Sequence, residues 1–166
     1  PAAAIVPGAE RAMELTAPAL GGFVTVRVDG STRETADCVT LHLQTTDRGL
    51  LSGQPGQFVM AALPAFSAAP ISVSRFRPDG LDLTIRAAGP ATRAMTALER
   101  GSTIGLRGPL GRGWPVEEMT GRDVVIVAGG IGLAPLRTAP DGLPDPMFAP
   151  PTIAETGDPF TAVRVI

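Results

Sequence analysis

Leu81-Asp82-Leu83-Thr84-Ile85-Arg86 alternates apolar and polar side chains, the period-two mark of a strand that turns one face to a core. Immediately before it, Pro78-Asp79-Gly80 supplies residue types that favour a tight reversal. Further upstream the same period recurs twice. Val24, Val26 and Val28 alternate with Thr25 and Arg27, and Val39, Leu41 and Leu43 alternate with Thr40 and His42. Residues 57–63 and 71–74 read as further strands, separated by a turn over residues 64–70. Downstream the period shifts. Ala91, Ala94, Met95 and Leu98 fall on one helical face, and Gly101 stands where a C-cap belongs. Residues 103–107 return to strand character. About six short strands and one short helix predict a mainly β fold, a six-stranded antiparallel Greek-key barrel.

The pattern changes again at Asp123-Val124-Val125-Ile126-Val127-Ala128-Gly129-Gly130. A continuous apolar run of this kind is expected of a strand buried on both faces, as in parallel α/β sheets. It predicts the start of an α/β nucleotide-binding domain over residues 120–137, after a barrel over residues 22–115 and an Ala/Pro-rich arm over residues 1–21, with a short helix near residues 9–15. Beyond Pro135 the chain is broken by Pro140, Pro144, Pro146, Pro150, Pro151 and Pro159. βαβ crossovers need roughly 30 residues each, so the α/β domain is expected to be incomplete. Glu155-Thr156-Gly157-Asp158-Pro159-Phe160-Thr161 echoes the spacing of Glu34-Thr35-Ala36-Asp37-Cys38-Val39-Thr40. The tail over residues 138–166 therefore reads either as discontinuous with the rest or as the start of a second barrel copy.

Bulk composition limits the function. Apolar residues at 44% suffice for a core, while 17 prolines and 20 glycines match a fold rich in turns. All 14 basic residues are arginine and the net charge is −2, without a basic cluster. Nucleic acid and anionic membrane surfaces are therefore not expected partners. Cys38 is the one cysteine, so neither an internal disulfide nor a cysteine-ligated cluster built by this chain alone is expected, and no metal site is assigned. No apolar stretch reaches the roughly 20 residues that span a bilayer, and residues 1–20 lack the pattern of a secretory signal. Membrane insertion is not expected; a cytoplasmic location is. His42 reads as a barrel-rim residue, Cys38 as inert packing, and Trp114 as a cover for the domain junction.

Four constellations of small residues sit at strand ends, where backbone can approach a ligand. Gly89-Pro90-Ala91-Thr92 opens the helix, whose unpaired N–H groups and partial positive charge suit an anion; the alternative is a plain N-cap at Thr92. Ala69-Pro70-Ile71-Ser72-Val73-Ser74 offers small residues to lie against a ring, or is an ordinary strand. Gly108-Pro109-Leu110-Gly111-Arg112-Gly113-Trp114 reads first as a turn-rich linker. Gly129-Gly130-Ile131-Gly132-Leu133-Ala134-Pro135 follows the apolar strand directly, the setting of a loop that cradles a pyrophosphate, although Pro135 stands where the third glycine of G-x-G-x-x-G belongs.

In this order and spacing, together with Pro55-Gly56-Gln57-Phe58, the four constellations resemble the ferredoxin–NADP reductase superfamily. The likeness is to its electron-transfer branch: the gamma subunits of NAD(P)-linked hydrogenases and the electron-transfer subunits of anaerobic sulfite reductase and dihydroorotate dehydrogenase B. It covers about residues 22–137. The resemblance implies an FAD-carrying subunit that moves electrons between NAD(P)(H) and an iron–sulfur protein subunit of a larger complex. Pro70, Ile71 and Ser72 would line the isoalloxazine and ribityl chain, and Thr84, Ile85 and Arg86 would pack on the flavin and its phosphates. Gly89, Ala91 and Thr92 would hold the pyrophosphate, while Gly129, Gly130, Gly132 and Pro135 would begin the NAD or NADP site. No catalytic acid, base or nucleophile is implied, because the cofactor carries the chemistry.

Two departures qualify the likeness. Many members carry Arg-x-Tyr-Ser where this chain has Ala69-Pro70-Ile71-Ser72, which leaves Arg86 and Arg93 as candidates for the replacement cation. Cluster-binding cysteines and most of a nucleotide domain are also missing from this sequence. The alternatives are a cofactor-free scaffold subunit of the same kind of complex and, more weakly, a stand-alone flavin reductase.

Overall fold

The computed structural model describes residues 22–119, 125–137 and 162–165. Six strands, β1 (Val24–Arg33), β2 (Cys38–Gln44), β3 (Phe58–Ala62), β4 (Ala69–Arg77), β5 (Gly80–Arg86) and β6 (Thr103–Leu110), close into an antiparallel barrel in the order β1-β2-β5-β4-β3-β6. The predicted mainly β fold with a six-stranded antiparallel barrel is what the chain forms. Closure comes from β1 pairing with β6, Val24 opposite Leu106 and Arg27 opposite Thr103.

Alternation explains the interior. Val26 and Val28, Leu41 and Leu43, Leu81 and Leu83, and Ile104 and Leu106 are all buried in one apolar cluster, because successive side chains of a strand point to opposite faces. Two short helices add to it. α1 (Arg48–Leu51), which no sequence period announces, is capped by Asp47, whose Oδ1 accepts from the Leu50 amide at 2.9 Å, and it delivers Leu50 to the core. α2 (Pro90–Thr96) carries Pro90 in its first turn, where a missing N–H costs nothing, and buries Met95.

The expected helix is shorter than its apolar face suggests. Leu98 lies past its end, bonded as a turn to the Met95 carbonyl at 3.1 Å. Gly101 is no C-cap; it takes φ +92° in the turn into β6, and its amide reaches Val28 O at 2.8 Å. Strand closure there overrides helix continuation. β4 and β6 are also longer than their sequence period indicates. Ala69 and Pro70 already pair with Ala61 and Met60, and β6 runs through Gly108 and Pro109 to Leu110 with an irregular register opposite β3. The expected linker therefore begins only at Gly111.

After the barrel come α3 (Val116–Met119), β7 (Val125–Ala128), a 3-10 helix over Gly130–Leu136 and β8 (Ala162–Val165). The glycine-rich stretch thus starts a 3-10 helix and not an α-helix. β7 pairs antiparallel with β8, Val125 opposite Val165 and Ala128 opposite Ala162. This corrects the parallel-type strand expected from the apolar run: continuous apolarity signals burial on both faces, and it does not fix the direction of the neighbouring strand. The arm, its expected helix and the echo at residues 155–161 lie outside the described residues. Among the described residues no helix is long and apolar enough to cross a membrane.

Candidate functional site

The outer face of β2, β5 and β4 carries two of the candidate residues, Ser72 and Thr84. Alternation predicts a half-buried β5. Instead Asp82 and Thr84, its outward residues, are buried as well: Arg77 and His42 close on Asp82, and the 3-10 helix packs against β4 and β5. Thr40, Thr84 and Ser74 form a row across the three strands: Thr40 Oγ1 lies 2.9 Å from Thr84 Oγ1, and Thr84 Oγ1 lies 3.0 Å from Ser74 Oγ. At one end Ser74 donates to the Asp82 carbonyl at 3.0 Å, and at the other Thr40 donates to Glu34 Oε1 at 2.6 Å. Sequence reasoning missed this row. Its only signal was the placement of Thr40, Ser74 and Thr84 on the polar parity of three strands, which becomes informative once the strands are known to be neighbours.

Beside this row, Ser72 on β4 is half-buried, and its hydroxyl has no partner among the described residues. Pro70 is exposed at the start of the same strand, while Ile71 and Ile85 point into the core. Ile71 and Ile85 therefore support the face from beneath. Arg86 ends β5 and is half exposed; its Nε donates to Asp37 Oδ2 at 2.7 Å. The hydrogen bond from Arg86 holds the Asp37 carboxyl below the usual carboxylate range, and Asp37 in turn raises the guanidinium. The charge of Arg86 is thus already shared. Arg93, on the exposed side of α2, turns back along the helix, and its Nη1 meets the Ala88 carbonyl at 3.4 Å.

The loop before α2 is closed by Thr92, whose Oγ1 accepts from the amides of Gly89 at 2.8 Å and Ala88 at 3.1 Å. Ala91 is half-buried against the core. What distinguishes Gly89 and Gly132 is the room around them. A Cβ at Gly89 would meet nothing nearer than Thr92 Oγ1 at 4.0 Å, and one at Gly132 would meet nothing within 4 Å. Among the described residues packing requires neither glycine, which leaves space beside each for a group from outside. Gly129, Gly130 and Gly132 are exposed and Pro135 half-buried.

Other motif residues prove structural. Gln57 stitches its turn together, accepting from the Gln54 amide at 2.7 Å and donating to Gly111 O at 2.9 Å. Gly56, at φ +89°, passes beneath the Trp114 ring. Trp114 Nε1 donates to the Pro135 carbonyl at 3.3 Å, tying the end of the barrel to the glycine-rich stretch. His42 sits between Thr32 Oγ1 at 2.9 Å and Asp82 Oδ1 at 3.1 Å, and Asp82 also pairs with Arg77. Among the described residues no group of three His, Cys, Asp or Glu side chains could hold a metal.

No family model matches the chain. Individual proteins do. The gamma subunit of sulfhydrogenase 1 from Pyrococcus furiosus is 42% identical over 87 residues, covering 51% of this chain and 30% of that protein. A probable electron-transfer subunit of dihydroorotate dehydrogenase B (NAD(+)) from Methanocella arvoryzae is 36% identical over 103 residues, 62% of this chain and 36% of that one. The chain is a relative of these two subunits. It spans about a third of the length of the relatives it matches. The flavohem-like FAD/NAD-binding domain of a nitric oxide dioxygenase from Vibrio cholerae superposes with a TM-score of 0.58 at 22% identity, over 68% of this chain and 53% of that domain. Phthalate dioxygenase reductase gives a TM-score of 0.58 at 16% identity, over 74% of this chain and 40% of that one. At those identities the two subunits share sequence with this chain, and the solved structures share its fold.

Proposed function

We propose that this chain is the FAD-binding part of an electron-transfer subunit that moves electrons between NAD(P)(H) and an iron–sulfur partner in a larger, cytoplasmic oxidoreductase complex. The observation that carries the reading is the 42% identity to a hydrogenase gamma subunit over 87 residues. The room beside Gly89 and Gly132 supports it. FAD, when bound, supplies hydride acceptance and stepwise electron release; the protein binds, orients and excludes water. Pro70 and Ser72 line one side of the ring, with the Ser72 hydroxyl as a donor. Ile71, Thr84 and Ile85 stiffen the face behind it. Gly89, Ala91 and Thr92 take the pyrophosphate, and Arg86, its charge shared with Asp37, flanks it. Gly129, Gly130, Gly132 and Pro135 begin the nicotinamide dinucleotide site. Residues 22–115 act as the flavin domain and residues 120–137 as the beginning of a nucleotide domain.

The test is direct. Purified chain incubated with FAD and freed of excess should keep the visible flavin absorbance; a chain that stays colourless overturns the reading. That outcome would favour a cofactor-free scaffold, a reading favoured by the Thr92 hydroxyl, which already occupies the Ala88 and Gly89 amides.

Gly89→Ala and Gly132→Ala sharpen the test. Each methyl enters open space, so thermal stability should change by less than about 1 kcal/mol. FAD affinity should fall about tenfold or more in Gly89→Ala, where a methyl meets a phosphate at close approach. Gly132→Ala should spare FAD and weaken the nicotinamide dinucleotide. Titration of flavin fluorescence and of NAD(P)H checks both.

A further inference from the structure

Glu34 Oε1 serves two donors from different parts of the molecule. Thr40 Oγ1 of β2 reaches it at 2.6 Å, and Arg137 Nη1, just past the 3-10 helix, reaches it at 3.0 Å. The Trp114–Pro135 hydrogen bond at 3.3 Å is a second tie between the barrel and the same stretch. Between them lies the 3-10 helix, packed on β4 and β5 with Ala134 buried.

The protons along the hydroxyl row do not match its contacts. Thr40, Thr84 and Ser74 carry one hydroxyl proton each, yet they make the contacts Glu34–Thr40, Thr40–Thr84, Thr84–Ser74 and Ser74–Asp82 O, with pure acceptors at both ends while Glu34 is ionised. One contact then lacks a proton. A protonated Glu34 would complete the row, donating to Thr40 and so on to the Asp82 carbonyl, but it would lose its charge attraction for Arg137. The two ionisation states therefore favour different neighbours.

We propose that Glu34 is a positioning residue whose carboxylate latches residues 129–137 onto the outer face of β4 and β5 through Arg137, and that its protonation loosens this latch. Burial of Glu34 raises its pKa, but the hydrogen bonds from Thr40 and Arg137 and the charges of Arg137 and His42 outweigh it, so the group lies below its ordinary range. The latch is thus complete above the ordinary carboxylate range and is lost as pH falls through the lowered value. The groups that act on Glu34 from other elements are Arg137 from the glycine-rich stretch and, when it carries a proton, His42 from β2. In its own turn, Arg33 is bonded to the Ala36 carbonyl and Asp37 is paired with Arg86. The consequence for dinucleotide binding rests on the proposed reading of residues 129–137; the latch itself does not.

The sole tryptophan makes the latch observable in the full chain without cofactor. Wild type, Glu34→Gln, Arg137→Gln and the double variant are compared by acrylamide quenching of Trp114 emission across acid pH, with melting temperature as the folding control. Gln keeps an acceptor for Thr40 but not the charge. The expected result is that either single variant raises quenching of Trp114, already 41% exposed, by up to about twofold at neutral pH, as the latch weakens with loss of a partly exposed ion pair. The double variant should add little more, and the acid transition seen in wild type should vanish in Glu34→Gln. Quenching unchanged at neutral pH, additive effects, or an acid transition that persists in Glu34→Gln would overturn the latch. In FAD-loaded protein, Glu34→Gln should weaken NAD(P)H binding by a similar factor; loosened Trp114 with unchanged dinucleotide affinity overturns the positioning role. Failure to bind FAD at all would leave the quenching result standing and count against the proposed function alone.

Discussion

Leu83→Ala is expected to lower the free energy of unfolding by about 2–5 kcal/mol. Leu83 lies at the centre of β5, fully buried, opposite Leu41 on one side and Val73 on the other. Its replacement removes the transfer free energy of the lost methyl groups and leaves a cavity. The surrounding strands are joined in a ring and cannot collapse inward without breaking their ladder. Against the roughly 5–15 kcal/mol that holds an ordinary domain together, this is enough to populate unfolded chain at moderate temperature. Urea titration checks it: the midpoint should fall with an unchanged slope, since the same surface is exposed on unfolding. A change under about 1 kcal/mol would mean that the interior is looser than the packing of Leu41, Leu83 and Val73 implies.

The second large effect is electrostatic. Asp82→Ala should cost about 1–3 kcal/mol, the range for leaving the partly exposed Arg77 and His42 without their shared partner. The Asp82 carboxylate is nearly enclosed and holds two side chains, Arg77 and His42. Without it, Arg77 keeps the Leu43 carbonyl at 3.1 Å and the exposed Asp79 at 3.6 Å, and it is left with a half-enclosed charge where β4 turns into β5. Arg77→Met should cost less on its own, and the double variant should recover part of the loss of Asp82→Ala. Additive losses in a double-mutant cycle would show that the pair is not coupled.

Much of the barrel is legible in the sequence because alternation is a local property. Leu81, Leu83 and Ile85 declare a strand without reference to anything else, and Val26, Leu41 and Ile104 do the same. What stays hidden depends on neighbours. β4 continues beyond Ser74 because Phe76 and Arg77 have partners in Leu81 and Gly80. The direction of β7 depends on β8, which is distant in sequence. α1 is only one turn long, too short for a period to emerge, and its one advance sign is Asp47 as a cap. The candidate site divides in the same way. Its glycines are visible as residue types, whereas the openness around Gly89 and Gly132 is a fact of three-dimensional packing. The sequence marks Arg86 as a cation but hides its partner Asp37, which comes from the β1–β2 turn 49 residues away. Glu34 carries no sequence signal, because its importance lies in two donors from separate elements, Thr40 and Arg137.

The barrel closes where its first strand meets its last, β1 against β6. During synthesis, then, the ring stays an open sheet until residue 110 has left the ribosome, with the β1 and β3 edges waiting for β6 to bridge them. Such a topology pairs distant segments late and folds slowly compared with a helical bundle of equal size. Once joined, it presents no bare strand edge for another chain to extend. A nascent barrel of this kind keeps bare edges on β1 and β3 until β6 arrives.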